Sequence, residues 1–83
     1  MEILFKSASG QVVLTPKFLI HDLPRRVDTQ RISDITFVGY PKEAYEGNVF
    51  VQVITGSGGD YQYQVKEAEV KPFVEILLGL LSE

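Results

Sequence analysis

A chain of 83 residues is one domain, spanning 1–83, with room for a single small core. It contains no cysteine, which excludes disulfide staples and thiolate metal sites. The formal net charge of −3 argues against a nucleic-acid binder, while 45% apolar and 23% charged residues are ordinary for a globular domain.

In chain order, "EILFK" (2–6) is a short apolar stretch of strand type, followed by a turn cluster, "SASGQ" (7–11). "VVLT" (12–15) is continuously apolar and β-branched, as in a strand covered on both faces. Pro16 marks a break, because proline cannot donate to a ladder. "KFLIH" (17–21) resumes the strand pattern, with Phe18 and Ile20 on one face. "DLPRRVDTQ" (22–30) is the most loop-like stretch of the chain.

"RISDITFVGY" (31–40) reads as one strand, with Ile35 and Phe37 sharing a face and Thr36 and Val38 the other. A polar loop (41–47) leads to "NVFVQVIT" (48–55), the best strand, with Val49, Val51 and Val53 on one face. "GSGGD" (56–60) is a glycine-rich hairpin connection, and "YQYQV" (61–65) alternates with Tyr61, Tyr63 and Val65 inward. Six short strands separated by turn signals predict a meandering antiparallel sheet that curls into a sandwich or barrel.

The end of the chain, "PFVEILLGLLSE", is a helix that begins near Ala68 or at Pro72, since proline is tolerated in a first turn. At about 100° per residue, Val70, Phe73, Val74, Leu77 and Leu81 form the central stripe. Ile76 and Leu80 widen it on one flank and Leu78 on the other. The apolar arc covers roughly 200°, against about 100° or somewhat more for an ordinary surface helix. Either a loop or the sheet rim covers the flank of Ile76 and Leu80, or that flank is a candidate interface with another subunit or a partner. The longest apolar run, "FVEILLGLL", is broken by Glu75 and falls short of the roughly 20 residues that span a bilayer. "MEILF" is too short for a signal peptide. A cytoplasmic protein, not integral to a membrane, is the expectation.

The element pattern resembles short bacterial pleckstrin-homology-like (PH-like) domains. The likeness rests on "GQVVLTPKFLI", then "RISDITFV", then "NVFVQVITGSGGDYQYQV", and last "KPFVEILLGLL" with its early phenylalanine. It covers nearly the whole chain as a pattern of element types and has no single diagnostic motif. The resemblance implies a mainly β fold of six to seven strands, a curled sheet or partly open barrel, capped by one C-terminal helix. It also implies a binding module for a peptide, a protein surface or a lipid head group. The phosphoinositide pattern is incomplete: Lys6 precedes the first turn, but "QVVLT" supplies no basic pair after it. The rival architecture is a five-stranded barrel of OB or SH3 type with an appended helix.

Candidate sites are few. Lys17, Arg25, Arg26 and Arg31 form the one basic cluster, a candidate for an acidic peptide, a phosphate, a lipid head group or an oligonucleotide, partly cancelled by Asp22 and Asp28. His21, the single histidine, is expected at a surface or strand end. No serine lies in a G-x-S-x-G context, the carboxylates are scattered, and "TGSGGD" lacks the lysine and following helix of a phosphate-binding loop. The expectation is a non-enzymatic binding module without metal or cofactor. Its partner is a protein or a second copy of the chain; nucleic acid is disfavoured and peripheral lipid binding is weakly supported.

Overall fold

The computed structural model describes residues 2–7 and 10–82. Met1, Ala8, Ser9 and Glu83 lie outside the described residues, and with them part of the first expected turn. Strands β1 (Ile3–Ser7), β2 (Gly10–Leu14), β3 (Phe18–Asp22) and β4 (Val27–Arg31) form an antiparallel sheet in sequential order. A 3₁₀ turn at Ile32–Asp34 leads to a second antiparallel sheet of β5 (Ile35–Gly39), β6 (Asn48–Thr55) and β7 (Asp60–Lys66). The helix α1 spans Glu67–Leu81. The fold is therefore mainly β, with two sheets of four and three strands and a C-terminal helix. Among the described residues no strand of one sheet pairs with a strand of the other, although β1 lies against β7.

The apolar pattern positions the core. Inner faces contribute Val12 and Leu14 from β2, Leu19 from β3, Val51 and Val53 from β6, and Tyr63 and Val65 from β7, all fully buried. The helix lays Val70, Phe73, Val74 and Leu77 across this surface. Phe73 meets Phe5 edge to face, with ring centroids 5.2 Å apart. Burying an aromatic side chain of this kind stabilises the fold by about 1.5–3 kcal/mol. The inward triplet Val49, Val51 and Val53 and the inward set Tyr61, Tyr63 and Val65 match the alternation read from the sequence, with Tyr61 only partly buried.

Three local expectations are corrected. First, 27–30 is not loop: Val27–Arg31 is an edge strand, held by its register with β3 from Phe18↔Arg31 to Asp22↔Val27. Its side chains, VDTQR, bury little, so the backbone ladder rather than an apolar face fixes it, and that leaves no apolar signal in the sequence. Second, 31–40 is not one strand. The 3₁₀ turn ends β4's sheet and starts the other, and Asp34 O accepts a bond from Gly56 N (2.7 Å) at that corner.

Third, the faces of β5 change at a bulge. Ile35 opposes Thr55, but Phe37 already opposes Ile54. The extra residue turns Phe37 outward, 49% exposed, and lets Val38 pack against the core. Phe18 and Ile20 share a face as expected, and it is the outer one; Leu19 and His21 point inward. The helix starts at Glu67, matching the expected start near Ala68 rather than the one at Pro72, so Pro72 lies inside it on an exposed position. Glu67 and Glu69 in the first turn complement the positive end of the helix dipole.

Candidate functional site

The β3 and β4 hairpin divides the expected basic cluster in two. Lys17 lies in the turn before β3, where Thr15 Oγ1 accepts bonds from Lys17 N (3.4 Å) and Phe18 N (2.9 Å). Ile32 N donates to Lys17 O at 2.9 Å, and Arg31 opposes Phe18 across the ladder. Lys17 and Arg31 therefore share one end of the hairpin. Arg25 and Arg26 belong to the turn at the other end, closed by Leu23 N donating to Arg26 O at 2.9 Å. Four residue steps of strand, about 13 Å, separate the ends. There Arg26 pairs with Asp28 at 3.0 Å, while Arg25 at the same end and Lys17 and Arg31 at the other have no ion pair among the described residues. Sequence proximity suggested one cluster of four cations; strand register makes two pairs.

Lys17 and Arg31 stand over a groove of about 740 Å³. Its apolar lining is Ile32, Ile35, Leu80 and Leu81, with Phe18 also lining it. Leu80 and Ile76, both expected on an interface flank, are partly buried against the core; Leu80 also lines the groove beside the cations, and Ile76 does not. On the opposite flank Leu78 is the one large apolar residue of the described helix that is exposed, at 49%. With Tyr40, Pro41 and Val74 it lines a second groove of about 430 Å³. The sequence reading missed Ile32, Ile35 and Leu81 as groove residues. An apolar side chain at the break between two elements looks like core in a linear pattern. It becomes floor only when the helix end and the 3₁₀ turn meet.

His21 is not at the surface: it is 8% exposed and stacks at a tilt on Tyr63, with ring centroids 4.7 Å apart. His21 Nε2 and Tyr63 Oη are buried without a hydrogen-bond partner. Burial lowers the His21 pKa below its ordinary 6.5, an effect opposed by Asp28 and reinforced by Arg26. Burial likewise pushes the Tyr63 phenol upward, with Asp28 and Tyr61 adding to the effect. The signal for this lay in the alternation of Leu19 and His21 along β3, which puts the histidine on the same face as a core leucine. Among the described residues no group of three or more His, Asp or Glu side chains gathers as a metal ion would need. No helix is long and apolar enough to cross a membrane. Comparison with protein-family models gives no match, and no curated protein matches the sequence.

Proposed function

We propose that this chain is a non-enzymatic binding module of PH-like architecture that acts by protein–protein contact. The order of two consecutive antiparallel sheets, four strands then three, followed by one helix, supports the PH-like reading. The observation that carries the functional reading is the helix itself. Its apolar arc is wider than the sheets cover, leaving Leu78 half exposed on one flank and Leu80 over an open groove on the other. The one imidazole is locked in the core against Tyr63, so neither groove offers it as an acid or base.

The alternative, an anionic ligand gripped jointly by Lys17, Arg25 and Arg26, is weakened by the placement of those side chains at opposite ends of one hairpin. The test has two arms: selection of binders from a random linear-peptide library, and light scattering across protein concentration. Binding or reversible self-association that is lost in Leu78→Glu or Leu80→Glu chains retaining their circular dichroism is the expected result. A monomer at every concentration that selects no peptide would refute the reading.

A further inference from the structure

We propose that the groove between the helix end and the β3–β4 hairpin receives an extended, acidic and aliphatic segment of a partner protein. The inference rests on the binding-module reading above and adds the chemistry of the occupant. Three features of the groove agree. First, its two cations are carried on fixed backbone and have no ion-pair partner among the described residues. Arg31 is held by its ladder position opposite Phe18, and the backbone at Lys17 is bonded to Ile32 N. Neither cation meets a carboxylate among the described residues, although Asp and Glu outnumber Lys and Arg by 11 to 8 in the chain. A guanidinium and an ammonium so placed favour a carboxylate, which accepts charge-assisted hydrogen bonds from both.

Second, the groove offers apolar surface beside them: Leu80, Leu81 and Phe18 are partly exposed there, backed by the buried Ile32 and Ile35. A phosphate or a bare head group would leave this surface wet. A Leu, Ile or Val neighbouring the carboxylate would bury it, at about 0.8 kcal/mol per CH₂ group. Third, Ile35 opens β5, an edge strand, and Thr36–Gly39 make no backbone hydrogen bond outside the β5–β6 ladder among the described residues. The sequence ITFVG carries neither proline nor charge, and the bulge at Ile35–Phe37 confines the regular edge to Phe37–Gly39. An extended segment can continue from the groove past that bulge as a short added strand along Phe37–Gly39.

The probe is a random linear-peptide library selected on the full chain, followed by calorimetry with the winning peptide. The expected consensus has Asp or Glu beside Leu, Ile or Val. Lys17→Glu/Arg31→Glu, at two exposed positions, should weaken that peptide by at least about tenfold, equivalent to about 1.4 kcal/mol. Arg25→Glu/Arg26→Glu should leave its affinity within roughly twofold, the usual scale of a remote surface charge. Amide shifts on peptide addition should centre on Ile32, Ile35, Leu80 and Leu81. A consensus without acidic residues, or equal binding by the Lys17→Glu/Arg31→Glu chain, overturns the inference. Light scattering that shows a dimer dissolved by the same double reversal assigns the groove to a second copy and overturns it too. Anionic vesicles captured in a Lys17- and Arg31-dependent way, with no peptide selected, assign it to a lipid surface. Peptides that bind but shift residues elsewhere remove this groove while leaving the module reading intact.

Discussion

The two ends of the β3–β4 hairpin carry the same number of cations in different surroundings. At the turn, Arg26 is already satisfied by Asp28, Arg25 has no ion pair among the described residues, and the inward neighbours on the strands are the buried His21 and the partly buried Asp28. At the open end, Lys17 and Arg31 have no such partner and overlook a groove with apolar lining. A count of charges along the chain treats the ends as equal. The difference lies in what the rest of the fold brings to each: an acid from the same strand at one end, the end of a helix at the other. A cation is available to a partner only where folding has not already neutralised it.

The largest effect should follow from removing what both ends share. Leu19, fully buried, sits between them on β3 opposite Gln30. Leu19→Ala should cost about 2–5 kcal/mol, from a total that is roughly 4–12 kcal/mol for a domain of this length. Urea denaturation followed by circular dichroism measures it. Amide exchange should accelerate at both ends together. If the variant keeps wild-type stability, or only one end loosens, the hairpin is not the common frame described here.

How much of this was readable beforehand depends on what each residue's signal is made of. Val49, Val51 and Val53, and Phe73 with Leu77, were legible because burial of one face leaves a period in the sequence. β4 was not, because a polar edge strand is stabilised by backbone pairing that any side chain allows. Nor was the outward turn of Phe37, since a one-residue bulge reverses the faces after it without altering composition. Lys17 and Arg31 were both named from the sequence as candidates. That they belong together, apart from Arg25 and Arg26, and above Leu80, required the register of β3 against β4 and the landing point of the helix.

A second, smaller effect separates the ends by pH. Burial holds the folded-state pKa of His21 below its unfolded value of 6.5. The unfolded chain therefore binds more protons as pH falls below 6.5. The stability contributed by neutral His21 is fully present above that pH, and is lost as pH drops through the lowered folded pKa. Urea midpoints should fall between pH 7 and pH 5 in the wild type and fall less in His21→Phe, which keeps a ring against Tyr63. Exchange should quicken first around Asp22 and Val27, near His21, and later around Phe18 and Arg31. Equal pH slopes in the two chains would show that His21 titrates as freely folded as unfolded.

The smallest effect is the sharpest discriminator. The Arg26–Asp28 pair is exposed on the arginine side, 70% against 26% for the aspartate, so Arg26→Ala should change stability by about 0–1 kcal/mol. Arg26 nonetheless helps to lower the pKa of His21, while Asp28 raises it. Removing the arginine leaves burial alone to oppose Asp28, and the His21 titration followed by its ring proton resonances should move upward. Arg31→Ala, an equal loss of charge at the other end, should leave that titration in place and instead weaken the peptide selected on the groove. If the two substitutions move the His21 titration alike, the cations act through the mean field of the molecule. If each moves only its own readout, the hairpin holds two electrostatically separate ends, one closed by its own aspartate and one left for a partner's.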